Sequence, residues 1–309
     1  MEMQSRNIAV IGAGLMGHGI ALVMARAGHA VTIHDPVEAA RAAVKARIAE
    51  SLRLMNVGAA DIETVLDRVN VCDTLEETVA EAFAVFEAAP EKMDLKQAIF
   101  AEIERHAPSG AILASNTSVM PITKIMTGLG RKHRALGTHW WNPPHQIPLV
   151  EVIRTEWTDE SVVDVIMELL TEAGKIPVRV DKDVPGFIGN RLQHALWREA
   201  ISLVERGICD AASVDTVIKS CFGRRLAVLG PLENADLVGL DLTLDIHAQV
   251  LADLETREGP SPLLEAMVKR GELGMKSGRG FYAWTPEEAS AIRTRVSTHL
   301  QRLETILPD

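Results

Sequence analysis

The stretch IAVIGAGLMGHGI, residues 8–20, decides the fold of this chain. An apolar run opens it, three glycines follow as G-x-G-x-x-G at Gly12, Gly14 and Gly17, and a helical run begins directly after them. In this motif the first glycine permits a tight turn, the second lets a pyrophosphate approach the backbone, and the third lets helix and strand pack closely. The stretch predicts the strand, turn and helix that open a dinucleotide-binding domain.

An acidic residue stands where the second strand should end. Asp35 closes the run AVTIHD about 20 residues past the glycines, where a carboxylate can accept hydrogen bonds from the adenosine ribose. It would repel a 2′-phosphate, and no Arg follows it in DPVEAA. We therefore expect NAD rather than NADP, bound by Gly12, Gly14, Leu15, Met16, Gly17 and Asp35. A flavin, a methyl-donor nucleotide, or a glycine-rich turn without cofactor are the alternatives.

Strand and helix patterns alternate through the first half of the chain. Short apolar, β-branched runs predict strands at 8–12, 30–35, 69–73, 84–89, 111–115, 134–140, 149–153 and 176–180. Strands that alternate with helices predict a parallel sheet covered on both faces. The stretch 36–67 is longer than a crossover helix and is interrupted near Asn56–Gly58, so we expect a helix–turn–helix excursion from the sheet.

The pattern changes after Asp183. From Gly186 onward apolar residues recur at helical spacing and no strong strand run follows. We place the domain boundary at VPG, residues 184–186. The expected fold class is α/β, with an N-terminal Rossmann dinucleotide-binding domain over 1–184 and a C-terminal all-helical domain over 185–309. We expect the helical domain to bind substrate, near the cleft between domains, and to form a homodimer by burying its apolar face.

Composition narrows the classes of function. The formal net charge is −10 and the Lys and Arg residues are scattered, which argues against a nucleic-acid or anionic-membrane partner. No window reaches the roughly 18 apolar residues of a membrane span, and residues 1–6 lack the apolar core of a secretory signal. Cys72, Cys209 and Cys221 are widely spaced, so neither a disulfide framework nor a zinc site is indicated. We expect a cytoplasmic protein with a small-molecule substrate and no metal.

A second stretch, THWWNPPHQIPLVEV at residues 138–152, carries candidate chemistry. His139 ends a predicted strand, and Glu151 lies inside the next apolar strand, where an unpaired carboxylate would be costly to bury. A carboxylate at one imidazole nitrogen fixes the tautomer and raises the basicity of the other nitrogen. From the residues alone, the pair is either a general base with its orienting acid or a satisfied structural pair.

Seven motifs, in their order and spacing, resemble the 3-hydroxyacyl-CoA dehydrogenase family. They are GAGLMGHGIA, EAAPEKMDLK, ASNTS, HWWNPP, LVEVI, DVPGFIGNRL and KSGRGFY, and they run from residue 7 to about 284. The resemblance implies an NAD-dependent dehydrogenase in which His139 is the general base, Glu151 orients it, and Ser118 and Asn190 contact the reacting oxygen. It also implies contacts on the nicotinamide side from Ala88, Glu91, Lys96, Asn116, Ser118 and Asn142. A strand-end turn for Ser118 and a helix N-cap for Asn190 are the structural alternatives.

The chain departs from the acyl-CoA pattern H-F-F-N-P-V-P at Trp140, Trp141, Pro144 and His145. The NPPH form is similar to the branch of the family that acts on free acids, which includes dehydrogenases of L-gulonate, L-carnitine and a pyridine carboxylate of vitamin B6 breakdown. We expect Arg225 to hold a substrate carboxylate through its guanidinium fork. Trp141 and His145 would shape the pocket, and the Trp pair would suit a flat or cationic ligand.

Three alternatives to the oxidation of a free hydroxy acid stay open at this level. The chain could be an ordinary L-3-hydroxyacyl-CoA dehydrogenase, an inactive, crystallin-like protein that binds NADH, or an enzyme that oxidises the hydrate of an aromatic aldehyde acid. Arg224 and Arg225 could instead be solvated or lie in surface ion pairs.

Overall fold

The computed structural model describes residues 5–307. The chain folds into two compact units, which divide after Arg191. The first unit holds an eight-stranded sheet. Its strands are β1 (Asn7–Ile11), β2 (Ala30–His34), β3 (Val69–Val71), β4 (Ala84–Glu87), β5 (Ile112–Ser115), β6 (Ala135–Trp140), β7 (Leu149–Ile153) and β8 (Ile176–Val180). Each strand overlaps one of the predicted strands.

The strand order is β3-β2-β1-β4-β5-β6-β7-β8. The order up to β6 is that of the doubly wound dinucleotide-binding fold, in which the chain reverses its direction of winding between β1 and β4. Ligands of such sheets bind at the carboxyl ends of the strands beside that reversal. The glycine turn that follows β1 lies there.

One pairing differs from the predicted parallel sheet. β7 runs antiparallel to β6, while every other neighbouring pair, including β7 with β8, is parallel. The reason is the connection at residues 141–148, which is shorter than the dozen or so residues that a parallel crossover needs. The sheet is therefore mixed.

Helices cover both faces of this sheet. Those of the first unit are α1 (Leu15–Arg26), α2 (Glu38–Ala42), α3 (Val44–Leu54), α4 (Ala59–Asp67), α5 (Leu75–Val79), α6 (Met93–His106), α7 (Ile122–Ile125) and α8 (Glu160–Glu172). Alternate residues of β1 enter different cores, because successive strand side chains point to opposite faces: Ile8 and Val10 join one, Ala9 and Ile11 the other. The predicted excursion over 36–67 is present as α2, α3 and α4.

The second unit is helical. Helix α9 (Gly189–Glu205) begins in the first unit and runs past the division at Arg191. The helices that follow are α10 (Ala211–Ser220), α11 (Pro231–Val238), α12 (Leu240–Val250), α13 (Pro262–Lys269) and α14 (Pro286–Ile306). The domain boundary at residues 184–186 stays a prediction. Across residues 5–307, no helix is both long enough and apolar enough to cross a membrane.

Candidate active site

The glycine turn after β1 is tightly packed at two of its three glycines and open at the third. Gly12 has φ +101°, and a Cβ there would lie 2.7 Å from the carbonyl oxygen of Ala88. A Cβ at Gly17 would collide with the Gly12 carbonyl oxygen, whereas a Cβ at Gly14 would meet nothing within 4 Å. The open space at Gly14 is where a pyrophosphate would approach the backbone.

The N-terminus of α1 is suited to an anion. Gly14 is its N-cap, no side chain caps the helix, and its first turn contains no acidic residue. The partial positive charge of the helix end is therefore not neutralised by a carboxylate of its own first turn. Leu15, at the first position of the helix, is 62% exposed, and Met16 packs partly against the core.

Asp35 follows β2 and is hydrogen-bonded to the glycine turn. Its Oδ2 accepts a hydrogen bond from the backbone N–H of Ala13 at 2.8 Å, and its Oδ1 accepts one from Val37 at 2.9 Å. Two arginines of the segment 36–67, which the sequence motifs did not indicate as contacts, also bond to the backbone at this site. Arg47 donates to the carbonyl of Ala13 at 3.0 Å and Arg41 to that of Asp35 at 2.8 Å. The open turn, the helix end and this carboxylate together fit a dinucleotide.

A buried charge network begins at the end of β4. Glu87 is fully buried, and its Oε1 accepts hydrogen bonds from Lys96 Nζ and from the Ala89 N–H, both at 2.7 Å. Its Oε2 accepts one from Ser115 Oγ at 2.7 Å. Sequence reasoning missed Glu87, although a Glu at the end of an apolar strand run was the signal, because such a buried charge needs a partner.

Glu91 connects this network to the turn after β5. It accepts hydrogen bonds from Thr117 Oγ1 at 2.9 Å and from the Ser118 N–H at 2.7 Å, and it lies 3.7 Å from Lys96 Nζ. Asn116, on the same turn, accepts a hydrogen bond from the Trp140 N–H through its Oδ1 at 2.9 Å. The structure thus gathers the predicted residues Glu91, Lys96, Asn116 and Ser118 at the carboxyl ends of β4 and β5.

His139 and Glu151 form a buried pair. They face each other directly across the β6–β7 ladder, and His139 Nδ1 lies 2.7 Å from Glu151 Oε2. Their side chains are only 4% and 1% exposed. Burial raises the pKa of Glu151, but hydrogen bonds from His139 and from the N–H groups of Gly189 and Ile188 outweigh it and lower that pKa below its ordinary value. Glu151 is therefore a carboxylate at neutral pH.

Asn190 joins this pair to the Ser118 turn. Its Nδ2 donates to the backbone oxygen of Ser118 at 2.9 Å. Asn190 directly follows Gly189, whose N–H donates to Glu151 Oε1 at 3.0 Å. Hydrogen bonds therefore link His139, Glu151, the start of α9 and the Ser118 turn within the first unit. The roles of these side chains stay predictions.

The two adjacent tryptophans have different environments. Trp140 is 2% exposed and packs edge-on against Phe86 with ring centroids 5.9 Å apart, so the prediction that both rings face a ligand is wrong for Trp140. Trp141 is partly exposed, and its ring centroid is 5.0 Å from that of His139. Successive residues of an extended chain point to opposite sides, which separates the two rings.

His145 lies against α1. Its ring centroid is 6.4 Å from that of His18, whose Nδ1 bonds to the Gly14 carbonyl at 2.8 Å. Burial, together with the charges of His18 and Lys175, lowers the pKa of His145 to about 4. Lys175 holds the same loop by donating to the carbonyl oxygens of Pro144 at 2.6 Å and Ile147 at 3.1 Å. His145 is therefore neutral at physiological pH.

The other predicted contacts are placed as follows. Ala88 borders Gly12, and Asn142 is exposed on the loop after β6. Arg225 lies in the second unit, directly after the short helix Phe222–Arg224, and is exposed. Among the side chains that the structure describes, neither Arg224 nor Arg225 pairs with a carboxylate. Among those same side chains, no three His, Cys, Asp or Glu residues are grouped to hold a metal ion.

Two family models match nearly the whole chain. Residues 7–184 match the NAD-binding domain of 3-hydroxyacyl-CoA dehydrogenase, and residues 186–284 match its C-terminal domain. The 5-formyl-3-hydroxy-2-methylpyridine 4-carboxylate 5-dehydrogenase of Mesorhizobium japonicum is 37% identical over 304 residues, covering 98% of each chain. A probable 3-hydroxybutyryl-CoA dehydrogenase of Bacillus subtilis is 38% identical, covering 91% of this chain and 98% of its own.

A solved structure agrees with both matches. The crystal structure of a 5-formyl-3-hydroxy-2-methylpyridine 4-carboxylic acid 5-dehydrogenase, described as an NAD+-dependent dismutase, is similar to this chain with a TM-score of 0.91. Its sequence is 34% identical, and the similarity covers 98% of each chain. The glycine turn and Asp35 lie within the residues that match the NAD-binding model, and the second model matches most of the remaining chain. The chain is therefore an NAD-dependent dehydrogenase that belongs to the 3-hydroxyacyl-CoA dehydrogenase family.

Proposed function

We propose that this chain oxidises a hydroxyl group on a small carboxylated substrate, with His139 as the general base. The observation that carries the proposal is the buried pair of His139 Nδ1 and Glu151 Oε2, 2.7 Å apart. With Nδ1–H donated to the carboxylate, the neutral ring has its lone pair on Nε2, the nitrogen that would take the substrate proton. Glu151 then stabilises the imidazolium that forms.

Two neighbours would hold the oxygen while its proton leaves. The Asn190 amide carries two N–H groups, and one donates to the Ser118 carbonyl, which fixes the plane of the amide. The second N–H and the Ser118 hydroxyl are the groups we assign to the reacting oxygen. Donors held in place before the reaction stabilise the developing carbonyl more than water does.

The cofactor supplies the hydride acceptor when it is bound. The chain contributes the open backbone at Gly14 and the α1 N-terminus for the phosphates, and the Asp35 carboxylate for the ribose. Glu91 and Lys96 would line the nicotinamide side, where the buried Glu87 fixes Lys96.

The substrate that we favour is a free acid: a hydroxy acid or the hydrate of an aldehyde acid. Support comes from the NPPH form of the loop after β6 and from the Mesorhizobium relative, whose name denotes a pyridine carboxylate. An aldehyde hydrate is already an alcohol, so loss of a proton and a hydride yields the acid without a thiol nucleophile. Arg225 is the residue that we assign to the substrate carboxylate.

Oxidation of the 3-hydroxyl group of an acyl-CoA, assayed in reverse as reduction of the 3-keto group of acetoacetyl-CoA, is the second candidate, favoured by the similarity to the Bacillus 3-hydroxybutyryl-CoA dehydrogenase. The test is a side-by-side measurement of NADH absorbance with acetoacetyl-CoA, 3-hydroxybutyrate, L-gulonate, L-carnitine and pyridine aldehyde acids. Turnover of the free acids alone supports the proposal. A comparable rate on acetoacetyl-CoA would contradict the free-acid assignment, and tight NADH binding without turnover of any compound would favour an inactive, crystallin-like protein.

We also propose that the protein forms a homodimer through its second unit. Large apolar side chains of α11 and α12 are exposed in the single chain: Leu232 is 81%, Leu237 74% and Leu244 69% exposed. A second copy would bury such a surface. Light scattering should give the mass of a dimer, and Leu244→Asp should shift it to that of a monomer; a monomeric wild type would contradict the proposal.

A further inference from the structure

The segment between β8 and α9 contains two consecutive residues with left-handed backbone. Val184–Phe187, VPGF, forms a turn in which the Phe187 N–H donates to the Val184 carbonyl at 3.1 Å. Pro185 and Gly186, with φ +77° at the glycine, occupy the positions that a type II turn requires. The next residue, Phe187, has φ +50°. The left-handed conformation therefore continues one residue beyond the position that the turn itself demands.

A phenylalanine in this conformation needs an explanation. Within residues 5–307, Phe187 and Asn56 are the non-glycine residues with positive φ, and Asn adopts that conformation far more readily than an aromatic residue. The Phe187 ring is 1% exposed and lies in the core cluster that contains Ile122 and Ile153. Burial of the ring holds the backbone in a conformation that Phe does not favour. Such outliers concentrate at functional sites.

The conformation aims two consecutive N–H groups at one carboxylate oxygen. The N–H of Ile188 donates to Glu151 Oε1 at 2.8 Å, and that of Gly189 donates to the same atom at 3.0 Å. Successive N–H groups that follow a left-handed residue form a concave anion-binding site. With Oε1 held in this way, Oε2 is the oxygen that faces His139.

Among the described side chains, His139 is the one ionisable group that pairs with Glu151. From β6 it faces His139, and from β8 its partner in the ladder is Val178. Helix α8 covers the opposite face of β7, where Val150 and Val152 join its core cluster. The backbone that follows Phe187 is therefore what holds the carboxylate from the side away from His139.

We infer that Phe187 is a positioning residue for the His139–Glu151 base, acting through its left-handed backbone and not through contact with substrate. The inference rests on the proposed function of that pair. Its ring also lies beside the imidazole, with centroids 5.6 Å apart, so the test must separate the ring from the backbone.

The matched variants are Phe187→Leu and Phe187→Ile. Both replace the benzyl side chain by an aliphatic side chain of four carbons, but only Ile is branched at Cβ, and branching strongly disfavours positive φ. The first readout is the downfield proton NMR signal of His139 Nδ1–H, assigned by its loss in His139→Gln, which requires no substrate. We expect Phe187→Leu to keep the signal and Phe187→Ile to lose it, with kcat at least about tenfold lower, on whichever compound of the screen is turned over, and with an unchanged NADH dissociation constant.

Asn56→Ile is the control, because it places the same branched residue at a left-handed position on the exposed turn between α3 and α4. It should leave the His139 signal in place. If Phe187→Ile does not fold, as judged by NADH binding, Phe187→Val and Phe187→Ala make the same comparison with smaller side chains. Equal behaviour of the branched and unbranched variants would overturn the inference.

Glu151→Ala separates this inference from the proposed function. If Glu151→Ala keeps full turnover, the pair is not the base and the proposed function fails. If Glu151→Ala is impaired while Phe187→Ile is not, only the positioning role fails. The inference also predicts that Phe187→Ile adds little to the loss already caused by Glu151→Ala, because both changes act through the same carboxylate.

Discussion

Glu151 lies directly opposite His139 across the antiparallel β6–β7 ladder, with its Oε2 2.7 Å from His139 Nδ1. Directly opposed residues of an antiparallel pair have neighbouring Cβ atoms, so no backbone adjustment is needed to bring the two side chains together. The same register that buries the apolar residues of β7 places its one carboxylate on the imidazole. A shift of one residue would turn Glu151 to the other face of the sheet.

His139→Gln should lower kcat by about 10²–10⁴-fold, because the glutamine amide cannot accept the substrate proton. NADH should bind as before, since His139 does not belong to the glycine turn. Steady-state rates and an NADH fluorescence titration measure the two effects. His106→Gln, at a partly exposed histidine on α6, is the control. Retained turnover in His139→Gln would remove His139 from the role of base.

Glu87→Gln should destabilise the protein by up to about 3–5 kcal/mol, because it leaves the buried Lys96 ammonium with only the partly exposed Glu91 carboxylate, 3.7 Å away, as its ionic partner. Urea unfolding measures the change. Glu102→Gln breaks the exposed pair with Arg105 and should cost less than about 1 kcal/mol. Similar losses from the two substitutions would mean that burial of the Glu87–Lys96 pair does not set its contribution.

Asp35→Ala should weaken NADH binding by about tenfold, since it removes an acceptor for the ribose hydroxyl groups. It should also reduce the preference for NADH over NADPH, since it removes the charge that repels a 2′-phosphate. Fluorescence titrations with the two cofactors test this. Asp67→Ala is the control, because Asp67 is an exposed carboxylate at the C-terminal end of α4. A wild type that prefers NADPH would contradict the assignment of Asp35.

Acid should destabilise the fold through His145. Its folded pKa of about 4 lies below the ordinary 6.5, so the unfolded chain binds the proton first as the pH falls. The contribution of the neutral His145 side chain to the free energy of unfolding is complete above pH 6.5 and is lost as the pH falls from 6.5 to about 4. His145→Gln should reduce the loss between pH 7 and pH 5 by about 1 kcal/mol, after allowance for solvent screening. Urea melts at the two pH values measure it; an unchanged difference would contradict the burial argument.

Arg225→Ala should raise KM for a free-acid substrate by about 10–100-fold, the effect of losing a charge-assisted hydrogen bond, with a smaller change in kcat. Arg224→Ala is the neighbouring control and should leave KM near the wild-type value. The measurement uses the free acid that the NADH absorbance screen identifies. An unchanged KM in Arg225→Ala would exclude Arg225 as the carboxylate anchor.

Much of the fold could be predicted from local patterns. Each strand overlaps a predicted run, because the spacing of apolar residues depends on which residues of a strand or helix are buried. The excursion over 36–67 and the helical second unit were also predicted for this reason. The direction of β7 was not, since periodicity is the same in parallel and antiparallel strands and only the length of the 141–148 connection carried that information.

The sequence by itself determined the glycine turn, the acid after β2 and the list of polar residues from which the site is built, because their chemistry depends on neighbours along the chain. Only the tertiary structure decided which of them meet. The order and register of strands paired Glu151 with His139 and Glu87 with Lys96. Packing turned Trp140 into the core and left Trp141 beside His139, and burial of its ring held Phe187 in a left-handed conformation. These contacts join residues distant in sequence, so they depend on the free energy of the assembled sheet and not on local propensity.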